Sequence, residues 1–147
     1  YYETICGGEG ASHGHHGTDS VHCHMTNTSI TDAEILEWNY PVRLIRFAIR
    51  NNSKGYGKWN GGNGSSREIE FLKNLDFTIL SNRRKVAPFG IKGGNNAKTG
   101  KNYLKVDNNL KKLSASCHIK VKKGNVIIIN TPGGGGFGNL NKVIANK

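Results

Sequence analysis

The chain contains 147 residues, 20 of them glycine, with a formal charge of +11 at neutral pH. That length predicts one domain able to bury a core, and Leu, Ile, Val and Phe number 34 residues, above the roughly 20% below which chains stay disordered. No run reaches the roughly 18 apolar residues of a membrane span, and the N-terminus lacks the basic-then-apolar layout of a secretory signal.

In chain order, 20–25 is the first candidate strand. Thr31-Asp32-Ala33-Glu34 has the S/T-x-x-E form of a capping box and predicts one short helix over about 31–39, closed by Pro41. Strands follow at 42–50, 67–72 and 76–80, where Ile69/Phe71 and Phe77/Ile79 alternate with polar neighbours. Residues 103–106 and 110–113 flank Asp107-Asn108-Asn109 as a hairpin. Residues 118–121 and 126–129 flank Lys122–Asn125 as a second hairpin. The run Val126-Ile127-Ile128-Ile129 reads as a strand buried on both faces. The intervening segments 54–66, 90–102 and 133–138 are rich in Gly and Asn and read as ordered, irregular loops. The fold class is therefore mainly β, one β-rich domain over 1–147 with one short helix.

Charge divides that domain by position. Residues 1–41 carry six acids, five of the six His and no Lys or Arg, whereas 42–147 carry all 21 bases against four acids. An acidic, histidine-bearing segment thus precedes a basic, β-rich one. Lys accounts for 15 of the bases and Asn for 18 residues, with no Gln. Drift in a low-GC genome explains that usage as readily as a selected basic surface. Cys6, Cys23 and Cys117 match no disulfide framework, which points to a reducing, cytoplasmic setting. Opening on Tyr1 without Met reads as processing or as a piece of something longer.

Three constellations carry potential chemistry. If 20–25 is a strand, His22 and His24 project from one face and Cys23 from the other; two such imidazoles can share a metal ion with Asp19, Glu3 or a residue of another chain. His13, His15 and His16 sit in a glycine-flanked loop and rank below that pair. Gly133, Gly134, Gly135 and Gly136 form an entropically costly run. It calls for close approach of another chain or ligand, or for an anion cradled on N–H groups, and it is neither a Walker A loop nor a GxGxxG turn. Arg83-Arg84, just after a strand, suits clamping a carboxylate or phosphate as well as an ordinary solvated turn. Trp59, Tyr56 and Tyr103 in the basic region offer stacking platforms for nucleic acid, but no motif of a known binding module accompanies them, and nucleic acid is not the expected partner. No nucleophile elbow or catalytic triad is present. Besides an enzyme part, two non-catalytic readings stand: a basic β module binding polyanions, and a metal-binding module through His22 and His24.

Taken together, the stretches YYETICGGEGA (1–11), HHGTDSVHCHMTNTSITDAEILEWNYPVRLIRFAIR (15–50), GKWNGGNGSSREIEFL (57–72), ILSNRRKVAPFGIKGG (79–94) and GNVIIINTPGGGGFG (124–138) resemble the C-terminal part of the B-type subunit in the hydantoinase B / 5-oxoprolinase family. The resemblance implies an ATP-dependent cyclic-amide hydrolase of 5-oxoprolinase or N-methylhydantoinase type, or a related carboxylase. In that family a hydantoinase A-like partner binds ATP with Mg and activates a lactam or imide carbonyl by phosphorylation, and the B-type part hosts the later hydrolysis. The implied partners are the remaining N-terminal part of the B-type subunit and that A-like subunit. A divalent metal belongs to the full B-type subunit, and no cofactor is demonstrable in this chain. Carried over onto this chain, Glu3, His22 and His24 are candidate catalytic positions. Asn27, Arg83, Arg84 and the four glycines 133–136 are candidate substrate or interface positions. Family B-type subunits are several-fold longer, and Ser29, Asn60, Asn63 and Asn95-Asn96 depart from family positions rich in Gly or Arg. The chain is therefore expected to be inactive by itself.

Overall fold

The computed structural model describes residues 1–23 and 26–140. It is mainly β: α1 (Ala33–Asn39) precedes β1 (Val42–Arg50), β2 (Gly64–Phe71), β3 (Leu75–Leu80), β4 (Lys101–Val106), β5 (Asn109–Leu113), β6 (Ser116–Val121) and β7 (Val126–Asn130). Five strands form an antiparallel sheet in the order β1-β2-β7-β4-β5, and β3 pairs antiparallel with β6. The apolar run of β7 takes the centre of the large sheet. Ile127 and Ile129 are buried and Val126 and Ile128 half-buried, so one face is fully covered rather than both.

The two sheets share one core. Ile79 and Val121 of the small sheet join Phe71, Leu104, Leu113, Ile127 and Ile129 of the large one, and Phe71 meets Phe77 edge-on at 5.7 Å. Burying each such side chain stabilises by about 1.5–3 kcal/mol. Helix α1 adds Leu36 to the cluster and leaves Trp38 90% exposed.

Several expectations are corrected. The described residues 20–23 of the expected first strand, 20–25, form no strand. Val21 makes an isolated bridge to Gly7, after which the Thr26 N–H donates to the Cys23 carbonyl at 3.1 Å and bends the chain, so strand alternation does not set where His22 and Cys23 point. His24 and Met25 lie outside the described residues. Helix α1 is capped by Asp32, not Thr31: Asp32 Oδ1 accepts from the Glu34 N–H at 2.9 Å, since an Asp one position later caps equally well. The hairpin at Asp107 forms, with Val106 opposite Asn109 and Asp107 at φ 51°. The second hairpin does not. β6 pairs with β3, β7 with β2 and β4, and the turn at 122–125 carries the chain from one sheet to the other. Gly124 N–H donates to Phe71 O, and Phe71 N–H to Asn125 O. An apolar strand buries more surface between two neighbours than in a hairpin with the amphipathic β6.

Candidate functional site

Glycine permits four remote segments to run against one another beside the sheet. The Gly134 N–H donates to Gly62 O at 2.8 Å, Gly62 N–H to Glu9 O at 2.8 Å, Gly55 N–H to Gly134 O at 2.8 Å, and Gly136 N–H to Asn95 O at 3.0 Å. Ala11 N–H reaches Gly135 O and Phe137 N–H reaches Trp59 O. A Cβ on Gly134 would overlap the Glu9 carbonyl, and one on Gly62 the Thr18 carbonyl. The approach that the glycine run calls for is thus made, at these positions, by other segments of the same chain.

Side chains lock this junction from its edges. Asn63 Oδ1 accepts from the Ser53 and Lys54 N–H groups at 3.0 and 3.2 Å, and Asp19 accepts from both Asn63 N (2.6 Å) and Nδ2 (3.2 Å). Asp19 is thereby engaged with Asn63. The loop carrying His13 and His15 closes through mutual Ser12–His15 backbone bonds. His16 Nδ1 accepts the Asn60 N–H at 2.9 Å, and the His13 ring lies 4.8 Å from Trp59, which meets Phe137 at 5.7 Å.

A cavity of about 350 Å³ opens against the junction, lined by Arg83, Pro88, Phe89, Ile91, Pro132 and the glycines Gly8, Gly10, Gly133, Gly134 and Gly135. Arg83 and Arg84 part company here. Arg83 is exposed at this cavity, in left-handed backbone (φ 56°), with its guanidinium 5.7 Å from the Phe89 ring centroid. Arg84 turns inward: Nε and Nη2 donate to Asn102 Oδ1 at 3.2 and 3.0 Å, and Nη1 to Asn82 O at 2.7 Å. Burial, with the Arg50 charge second, pulls the Arg84 guanidinium down to about 10. Arg50 Nη1 donates to Thr99 O and Thr131 O at 2.9 and 2.8 Å, and burial lowers it too.

The other expected positions are scattered. Glu3 binds Arg67 in a bidentate pair and accepts the Tyr1 hydroxyl at 2.7 Å. Burial raises the Tyr1 phenol above its ordinary range. Both ring nitrogens of His22 are buried without a hydrogen-bond partner, and Asn27 is exposed. Among the described residues no three His, Cys, Asp or Glu side chains gather closely enough to hold a metal ion.

Two features escaped the sequence reading. Asn102 is fully buried, holding Arg84 and donating to Ser81 Oγ at 2.9 Å; nothing in its strand pattern distinguishes it. On the exposed face of β3–β6, His118 Nδ1 lies 2.8 Å from Thr78 Oγ1 and Nε2 lies 3.5 Å from Asp76. The strand register (Thr78 opposite His118) is the signal that would have revealed it. Its solvent exposure makes it a weak surface pair.

The family model for hydantoinase B/oxoprolinase matches residues 1–140. The chain is 48% identical to a 5-oxoprolinase of Dictyostelium discoideum over 148 residues, covering 100% of this chain and 12% of that protein. It is 50% identical to 5-oxoprolinase 1 of Arabidopsis thaliana over 139 residues, covering 94% and 11%. Among solved structures, the ATP-dependent caprolactamase of Pseudomonas jessenii superposes with a TM-score of 0.77 at 25% identity, over 97% of this chain and 27% of that one. The chain thus spans about an eighth or less of the two oxoprolinases it matches. It belongs to the hydantoinase B/oxoprolinase family.

Proposed function

We propose that this chain is the C-terminal part of the B-type portion of an ATP-dependent cyclic-amide hydrolase, of 5-oxoprolinase or N-methylhydantoinase type. It works only when assembled with the rest of that portion and with an A-like ATP-binding partner. The observation that carries this reading is the 48–50% identity to two 5-oxoprolinases across nearly the whole chain, which spans 11–12% of their length. The exposed surface supports it: Tyr2 and Trp38 are 86% and 90% exposed, and Tyr1, Ile35 and Ile45 each half or more, an apolar display suited to further polypeptide.

A resonance-stabilised amide is a poor electrophile, and ATP on the partner supplies the phosphoryl group that turns its oxygen into a leaving group. This chain contributes positioning and fixed charge. Its glycine junction packs four segments of the chain backbone to backbone, and Arg83 sets a cation beside it. The divalent metal that the family resemblance implies for the full B-type subunit has no ligand set among the described residues. Cys6, Cys23 and Cys117 are all free thiols, which suits a reducing cytoplasm; among the described residues no helix is long and apolar enough to cross a membrane.

The test mixes the chain with the missing B-type portion and an A-like partner, then assays ATP-dependent opening of 5-oxoproline or a hydantoin. Association with ATP-dependent turnover is expected. Absence of both overturns the reading.

A further inference from the structure

The layer that covers the core-bearing face of the large sheet stops one strand short. Residues directly opposite one another on antiparallel strands share a face, and one such row runs Leu113, Asn102, Ile129, Arg67 and Phe47 from β5 to β1. The first four are buried, whereas Phe47 is 42% exposed. The neighbouring row breaks at the same place. Thr131 and Ser65, joined through their main chains at 2.8 Å, are buried, and Ile49 opposite Ser65 is 46% exposed. Two apolar side chains at alternate positions, on the face that forms the core elsewhere, make a patch rather than a scatter.

Glu3 lies on Arg67, and the Cys6 carbonyl accepts the Ser65 hydroxyl at 3.0 Å, so the N-terminal segment roofs β2. Helix α1 roofs only the first part of β1, where Leu36 and Val42 join the core. Beyond it a hollow of about 200 Å³ is left among Ser20, Phe47, Ala48, Ile49 and Ser65. Both hydroxyls there are already donated, Ser20 Oγ to Gly64 O at 3.0 Å and Ser65 Oγ to Cys6 O. The hollow therefore suits an apolar side chain. Strand addition along the outer edge of β1 is opposed at its start. Glu37 Oε1 accepts the Leu44 N–H at 2.7 Å, and the register shifts between Leu44 and Arg46, two features that protect an edge.

We propose that the second half of β1 is a docking surface for a segment of the B-type portion outside this chain, laid over Phe47 and Ile49 with an apolar side chain in the hollow. The matched stretch is 11–12% of the two oxoprolinases, so ample polypeptide is available to continue the roof. Water against a half-covered apolar row is unfavourable, and the occupant removes it. The proposal deepens the cyclic-amide hydrolase reading by naming where the rest of the B-type portion sits, and it rests on that reading for the occupant's identity.

The experiment co-expresses the 147-residue chain with the remaining B-type portion, captures the pair, and measures its affinity together with hydroxyl-radical footprinting of side chains. Phe47 and Ile49 are expected to react less in the pair than in the free chain. Ile49→Asp should weaken association about tenfold or more, because the new charge must be buried unpaired. Leu110→Asp, on β5 at the opposite edge of the sheet, should change it less than about twofold. An unaltered affinity in Ile49→Asp, an equal loss in Leu110→Asp, or undiminished reactivity of Phe47 and Ile49 overturns the surface, as does failure of the two parts to associate. Should Ile49→Asp fail to fold, the footprint of the unsubstituted pair decides. A dimer of the chain alone that Ile49→Asp abolishes assigns the surface to a second copy and overturns this occupant. Protection of Phe47 and Ile49 without ATP-dependent turnover removes the hydrolase reading and leaves the surface standing; turnover with both side chains unprotected does the reverse.

Discussion

The guanidinium of Arg67, 1% exposed, is held by both carboxylate oxygens of Glu3 at 2.9 and 3.0 Å. This pair fastens the N-terminal segment to β2 across 64 residues of sequence. Arg67 also lies over Phe47 at 5.0 Å, so its cation is enclosed by an aromatic face and one acid. Removing that acid strands a buried charge, which costs about 3–5 kcal/mol. Glu3→Gln should therefore lower the urea midpoint of the chain sharply and with little salt dependence, because buried pairs are poorly screened. A shift no larger than that of Glu37→Gln, an exposed acid, would refute this role.

Two glycines test the junction. A Cβ on Gly134 would collide with the Glu9 backbone, whereas one on Gly10 meets nothing within 4 Å. Gly134→Ala should cost about 3 kcal/mol or more, since rigid backbone must move. Gly10→Ala should be neutral or stabilise by up to about 1 kcal/mol through loss of unfolded-chain entropy. Thermal unfolding of both variants measures the contrast, and equal melting temperatures would show that the junction yields.

At the helix start, Asp32→Ala should cost about 1 kcal/mol, because its side chain is the cap of α1. Far-UV circular dichroism is a poor monitor of a seven-residue helix, so denaturant midpoints are the measurement. A larger loss in Thr31→Ala than in Asp32→Ala would restore the capping box read from the sequence.

Local patterns were legible where local rules decide. β1 runs over 42–50 as its position after Pro41 suggests. β2 begins three residues earlier than expected, because Gly64, Ser65 and Ser66 carry no apolar periodicity yet pair with Arg50, Ile49 and Ala48. The partner of β7 was not legible, since strand pairing is chosen by burial across the whole sheet. Arg83 and the glycine run stood out by composition. Their shared cavity did not, because it is built from segments near residues 8, 83, 89 and 133. Arg84 looked equivalent to its neighbour in sequence, and it is the buried amide of Asn102 that turns it inward.

Arg50 and Arg84 provide the last test. Both are partly buried on neutral oxygens, and each lies within reach of the other's charge. Substituting either by Met loses its hydrogen bonds, and Arg84→Met also removes donors from buried Asn102, a loss of about 1–3 kcal/mol. Each single substitution also relieves the repulsion, so the two single effects together count that relief twice. The double variant relieves it once. Its loss of stability should therefore exceed the combined single losses by about 0.5 kcal/mol or more. A double-mutant cycle from urea unfolding gives the sign directly: a coupling of zero separates the two charges, and one of opposite sign shows that they cooperate.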